Sequence, residues 1–328
     1  MCGVSALCCL LCQAKCKAAN VVAELTFFPP EPAFYTFIPI PNEITDQASP
    51  SAASTVAPQA PLPTYKLALD QQIMDPSLVR SLQSVTISCL MLPTKTTMSW
   101  YQVGNKTHDI ALSIFNRKTA DQSISSTPKK VIIYSHGNAA DLGMMTQRYC
   151  ELATNLPNVT VLAYDYSGYG ASQGATTEKQ TYNDITAVYD YAIETLLAKP
   201  SDIIVYGQSV GSGPSTFLAS SHPVGALILH SPFLSGLRVL TDNRLLSCFD
   251  PFPNIDRIHK VKSKVFIIHG VNDQEVHFHH GVDLQQNVQD NLRTEAWFVI
   301  GKGHNDIVDS ESQLREYIRR LKIFLEQV

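Results

Sequence analysis

The sequence predicts an α/β protein with a mostly parallel central sheet and helices on both faces, and three observations predict it. Six runs rich in β-branched and aromatic residues recur from Lys130 onward: "KVIIYSHGN", "VTVLAYDYSGYG", "DIIVYGQS", "GALILHSP", "KVFIIHGVND" and "EAWFVIGKGHND". Helical stretches such as "TQRYCELATNL", "TEKQTYNDITAVYDYAIETLL" and "GSGPSTFLASS" separate most of them. Continuous apolar strands alternating with helices imply parallel pairing with both faces covered. The conspicuous Gly, His, Ser and Asp clusters all stand at the carboxyl ends of these runs, where open α/β sheets gather their chemistry.

Composition narrows the field. At 328 residues, with 45% hydrophobic and 16% charged residues, the chain is long enough for a sizeable core and light in charge. A net charge of −4 argues against a nucleic-acid partner held through phosphates. No window of about 18 apolar residues predicts a membrane-spanning helix.

Taken in chain order, the first element is a cysteine cluster. Cys2, Cys8, Cys9, Cys12 and Cys16 crowd the start, whereas Cys89, Cys150 and Cys248 are scattered singly. A secreted disulfide scaffold would spread its cysteines through the fold. Cys9-x-x-Cys12 lacks a second ligand pair for zinc. The apolar "VSALCCLLC" has no preceding positive charge, and Lys15 and Lys17 lie where a signal peptide would be cleaved. Cysteines in an apolar, lightly basic setting point instead to S-palmitoylation and a membrane-lipid partner reached through acyl chains. Residues 1–40 are therefore expected to form a cysteine-rich anchoring segment followed by the proline-rich "FFPPEPAFYTFIPIP", which lies against a membrane or fills a groove. Residues 41–64, rich in Pro, Ala and Ser, read as a flexible linker, and residues 65–328 as the α/β domain. Within that domain "SVTISCLML" reads as a strand, "MSWYQVG" and "IALSIFN" as weaker strands paired across a loop, and residues 116–129 as a polar loop. The chain closes on the amphipathic helix "SESQLREYIRRLKIFLEQV".

The chemistry centres on "DIIVYGQSVGSGP". A Gly-x-Ser-x-Gly that ends a strand and opens a helix is the spacing of a nucleophile elbow, in which a sharp turn holds Ser209 out. Gly207 and Gly211 permit close approach of neighbouring segments, and Gly213 close packing of the helix on the sheet. A serine hydroxyl needs a base, and the base a carboxylate to orient it. Asp273 and His304 follow two later strands in the required order. Asp306 is the rival acid, and Asp165 is expected to shape the loops around the site. The oxyanion donors are expected to be the backbone N–H groups of Val210 and, in "YSHGNAADLG", of Asn138 or Ala139, with Asn138 taken in the mechanism. The "HFHH" of His277, His279 and His280 reads as the start of a solvent-facing helix rather than a metal site, so neither metal nor cofactor is expected. Residues 231–260 interrupt the sheet as a lid-like insertion. Its Phe233, Leu234, Leu237, Leu240, Phe249 and Phe252 either line an acyl-chain channel or pack on the core.

On these residues the chain resembles the α/β-hydrolase superfamily, and within it the α/β-hydrolase domain-containing 17 family of protein depalmitoylases. The likeness runs in order through "LCCLLC", "LTFFPPEPAFY", "SHGNAADLGMM", "YDYSGYGASQG", "YGQSVGSGP", "LHSPFLSGLRV", "CFDPFPNIDRI", "VFIIHGVND" and "GKGHNDI". It implies an α/β-hydrolase fold and palmitoylation of the N-terminal cysteines. It also implies residence on the cytoplasmic face of plasma and endosomal membranes, and hydrolysis of palmitoyl thioesters on membrane-associated proteins such as small GTPases and scaffold proteins. By position, Ser209, Asp273 and His304 match the family's Ser, Asp and His. The region from Gly104 to Pro128 looks longer than in the family, and the N-terminus has fewer paired cysteines. A general carboxylesterase or serine peptidase on the same residues, or a membrane-tethered scaffold without activity, are the competing expectations.

Overall fold

The computed structural model describes residues 26–40, 63–95, 107–118, 130–240 and 250–328. A ten-stranded sheet runs in the order β1-β2-β3-β4-β6-β5-β7-β8-β9-β10. Its antiparallel arm comprises β1 (Tyr35–Pro39), β2 (Thr64–Leu69), β3 (Val85–Lys95) and β4 (Thr107–Arg117). The parallel part comprises β5 (Lys130–Ser135), β6 (Val159–Tyr164), β7 (Ile203–Gln208), β8 (Ala226–His230), β9 (Lys264–Gly270) and the short β10 (Trp297–Val299). The six apolar runs of the sequence are these six strands, and the α/β-hydrolase architecture is present.

Alternation within the strands builds two cores. Along β5, Val131 and Ile133 face one layer while Ile132 and Tyr134 face the other. Helix α1 (Pro76–Gln83) precedes β3. The second layer is covered by α2 (Leu142–Asn155) through Tyr149 and Leu152, and by the C-terminal helix α8 (Glu311–Leu325) through Tyr317 and Leu321. The first is covered by α3 (Glu178–Glu194) through Ile185 and Val188, by α4 (Ser212–Ser221) through Leu218, and by α7 (His279–Asn287) through Leu284. Each such fully buried aliphatic side chain contributes about 1.5–3 kcal/mol relative to exposure. None of the helices among the described residues is long and apolar enough to cross a membrane.

Four expectations change. The domain does not begin at residue 65, because β1 pairs antiparallel with β2 from Tyr35–Leu69 to Pro39–Tyr65, and Phe27 and Tyr35 are buried in the two cores. The aromatic residues of the proline-rich stretch thus gain more from packing on the sheet than an independent segment could. Thr64, the end of the expected linker, is the first residue of β2. "IALSIFN" is no weak strand: β4 pairs with β3 over its whole length and with β6 on its other side. "MSWYQVG", residues 41–62 of the linker, the N-terminal cysteines and residues 104–106 and 119–128 of the longer region lie outside the described residues. The insertion at 231–260 contains α5 (Gly236–Leu240) and α6 (Ile255–Ile258). Phe233, Leu234 and Phe252 belong to the core rather than to a channel wall. Phe249 lies outside the described residues. A side-chain carbon on Gly213 would collide with the Phe252 ring, so this glycine makes room for the insertion, not for the sheet.

Candidate active site

The site forms where β5, β7, β9 and β10 end. Strand β7 stops at Gln208, and the chain turns through a short 3-10 segment, Ser209–Gly211, into α4. Ser209 takes a φ of 50°, the left-handed region that a serine rarely adopts and that holds its hydroxyl on the corner. A β-carbon at Gly207 would press on the Gly211 carbonyl, and one at Gly211 on the Ser135 carbonyl, so only glycine closes this turn.

The loop after β10 carries His304 and the loop after β9 carries Asp273. His304 Nε2 lies 2.9 Å from Ser209 Oγ, and its Nδ1 lies 2.7 Å from Asp273 Oδ2. An ionised carboxylate only accepts, so Nδ1 carries the proton and Nε2 is left to accept from the serine hydroxyl. The Asp273 carboxylate is saturated. Its Oδ1 accepts the Glu275 and Val276 N–H groups at 2.9 and 2.8 Å, and its Oδ2 accepts a second imidazole, His269 Nε2–H, at 3.1 Å. Burial by itself would raise the Asp273 pKa. The hydrogen bonds from His269 and His304, the His304 charge and the Val276 N–H outweigh it and hold the carboxyl well below the usual carboxylate range.

The loop after β5 closes the other side. A β-carbon at Gly137 would sit 3.7 Å from that of Ser209, so the loop passes directly beside the serine. Val210 N–H is in the first turn after the elbow, where helix donors lack intrahelical acceptors. Ala139 N–H is spent on Asn138 Oδ1 at 3.0 Å, whereas Asn138 N–H enters no backbone hydrogen bond among the described residues. Between the two candidates in this loop, Asn138 is therefore the one with a donor to offer. Its side chain does something the sequence did not announce. Asn138 Nδ2 donates to the Thr26 carbonyl at 2.6 Å, while Oδ1 accepts Phe28 N–H at 2.9 Å and the Tyr169 hydroxyl at 2.8 Å. The loop is thereby clasped to the segment just after the cysteine-rich start.

Asp165 is fully buried and accepts the Tyr35 hydroxyl at 2.6 Å and Leu142 N–H at 2.9 Å, fixing the surrounding loops. Asp306 accepts Gly303 N–H and does not reach His304 in place of Asp273. Of the "HFHH" imidazoles, His277 and His279 face each other at the surface. His280 turns inward instead, where it accepts Leu234 N–H at 3.1 Å. Cys2, Cys8, Cys9, Cys12 and Cys16 lie outside the described residues.

Such an arrangement can transfer an acyl group through a serine ester. A family model described as serine aminopeptidase, S33, matches residues 126–249. Human alpha/beta hydrolase domain-containing protein 17B is 36% identical over 325 residues, covering 98% of this chain and 96% of that protein. The chain belongs to the α/β hydrolase domain-containing protein 17 family. Mouse 17C is 35% identical over 327 residues, covering 97% of this chain and 93% of its own length. Among solved structures, the Pyrococcus furiosus esterase Pf2001 superposes with a TM-score of 0.56 at 17% identity, covering 76% of this chain and 94% of that one. Est1E from Butyrivibrio proteoclasticus, bound to ferulic acid, gives 0.54 at 18%, covering 67% and 95%. These two likenesses show the fold, and family membership makes this 17-family chain a hydrolase. Two residues at its site carry no sequence signal of a role there. His269 reads from the sequence as the cap of its strand, and only its Asp273 contact reveals more. Glu275 stands two residues after Asp273, and its Oε2 lies 4.0 Å from His304 Nε2.

Proposed function

We propose that the protein is a serine thioesterase that removes palmitoyl groups from S-acylated cysteines of membrane-associated proteins. The observation that carries the hydrolytic part is the Ser209–His304–Asp273 chain of contacts, at 2.9 and 2.7 Å. Support for the thioester and membrane parts comes from membership of the 17 family, whose resemblance implies depalmitoylation, and from the cysteine cluster Cys2–Cys16, which suits an acylated anchor at the cytoplasmic face. Small GTPases and scaffold proteins are the proposed substrate class.

In this mechanism His304 Nε2 takes the Ser209 proton as Oγ attacks the thioester carbonyl, and the Val210 and Asn138 N–H groups stabilise the oxyanion. The C–S bond breaks, and the proton on Nε2 passes to the departing cysteine sulfur. Water, deprotonated by His304, then releases palmitate and regenerates Ser209. Asp273 holds the imidazole in the Nδ1–H tautomer and stabilises its cation.

The test compares a palmitoylated-cysteine peptide with a short-chain oxygen ester, using the purified protein and Ser209→Ala. Ser209-dependent cleavage that favours the long-chain thioester is expected. Cleavage of the short ester alone would leave a general esterase. No turnover of either by folded protein would leave a scaffold.

A further inference from the structure

We propose that Glu275 is a specificity-determining residue that favours acyl-cysteines flanked by a cationic side chain. The inference rests on the thioester reading above and adds to it which peptide contexts the site prefers.

His304 fixes where the leaving group must stand. Nε2 of His304 delivers its proton to the departing sulfur, so that sulfur comes within hydrogen-bond reach of Nε2 in the reacting complex. Glu275 Oε2 lies 4.0 Å from the same nitrogen. A residue next to the acylated cysteine therefore passes beside this carboxylate. Glu275 is also held in place: Asn305, the residue after His304, donates its Nδ2–H to Oε1 at 2.8 Å. Its side chain is nevertheless 63% exposed, so it faces the approach to the site rather than the interior.

The local charges leave its pairing open to substrate. Among the described residues no Lys or Arg forms an ion pair with Glu275. The nearby Lys302 ammonium is committed to Asp309 at 2.7 Å. Nor is Glu275 needed to orient His304. Asp273 occupies Nδ1, Ser209 occupies Nε2, and 4.0 Å is too long for a hydrogen bond. What remains is an exposed, oriented negative charge on the leaving-group side, the complement of a lysine or arginine beside the scissile thioester. Pairs at exposed sites are modest, so the preference is expected to be about two- to five-fold.

The experiment uses the full chain and three palmitoyl-cysteine peptides that differ only in one flanking residue: Lys, Gln or Glu. The expected order of kcat/KM is Lys above Gln above Glu, with the spread shrinking as salt rises. Glu275→Gln should bring the Lys-to-Gln ratio to one, and Glu275→Lys should invert it. A wild-type ratio of one, or a ratio that Glu275→Gln leaves unchanged, overturns the proposal. So does a uniform loss in Glu275→Gln with the ratio kept, which would tie Glu275 to His304 instead of to substrate. If no peptide is cleaved, the thioester reading fails separately. The same ratio is then read on short esters of choline and of its neutral carbon isostere, where a Glu275-independent ratio again refutes the assignment.

Discussion

Replacing His269 by leucine should cut activity without unfolding the protein. His269 is fully buried, and its Nε2 lies 3.1 Å from Asp273 Oδ2 and 2.8 Å from the Val276 carbonyl. Both neighbours are acceptors, so Nε2 must carry the proton, and the single N–H ties the carboxylate to the loop that presents it. A buried hydrogen bond to a charged group contributes about 1.5–3 kcal/mol. If most of that is lost where the His304 imidazolium forms, kcat/KM falls by about 10- to 100-fold. His269→Gln, which keeps an amide N–H near the position of Nε2, should recover most of the loss. The assay is hydrolysis of a short-chain oxygen ester, with a phosphonate titration of Ser209 to count competent sites and a thermal melt to score folding. The reasoning is refuted if folded His269→Leu keeps kcat/KM within about two-fold of wild type. It is refuted equally if Leu and Gln variants are impaired alike at unchanged Tm, since packing rather than the donor would then matter.

Other perturbations have equally definite outcomes. Asn138→Ala keeps the backbone N–H but releases Thr26, Phe28 and Tyr169. It should lower kcat by about ten-fold or more with a smaller change in KM, and an unchanged kcat would show the clasp to be irrelevant. Phe252→Ala empties a fully buried site between Phe27, Tyr182 and Phe233 and should cost about 3–5 kcal/mol in urea unfolding, whereas a loss under 1 kcal/mol, also about the scale of a single CH₂, would place the ring outside the core. His230 is pushed down to about 3, first by burial and then by the charges of Arg148, His304 and His269. The unfolded chain takes up that proton near pH 6.5 and the folded one only near pH 3. Stability is therefore full above the higher value and falls as pH drops between them, by at most about 1.4 kcal/mol per pH unit. His230→Asn retains an acceptor for the Tyr206 hydroxyl and should flatten that stretch of a melt-versus-pH curve; an unchanged slope would assign the acid sensitivity elsewhere.

The parallel strands and the serine turn were legible because their signals are local. An apolar run long enough to be buried on both faces, followed by glycines that permit one particular corner, specifies β7 and Ser209 within a dozen residues. Asp273 and His304 followed because strand ends in this topology converge. What escaped depends on partners far away in the chain. Nothing near Tyr35 says that it will meet Leu69 across the sheet or that its hydroxyl will reach Asp165. Phe252 sits in a stretch whose composition suits a lid, yet its ring goes inward because Gly213, on a different element, leaves the space. His269 is hidden for the opposite reason: its contact is only four residues away, but a strand gives no sign of which polar side chain points along the loop that follows.

The clasp at Asn138 also sets where this hydrolase can be cut and rejoined. Thr26 and Phe28 are gripped by the same loop that passes beside Ser209, and Phe27 is packed between Tyr169 and Phe252. A leader grafted from another protein must therefore be joined upstream of Thr26. A junction placed at residue 65, the start of the regular domain by sequence, would remove both the grip on the Asn138 side chain and the ring packed between Tyr169 and Phe252.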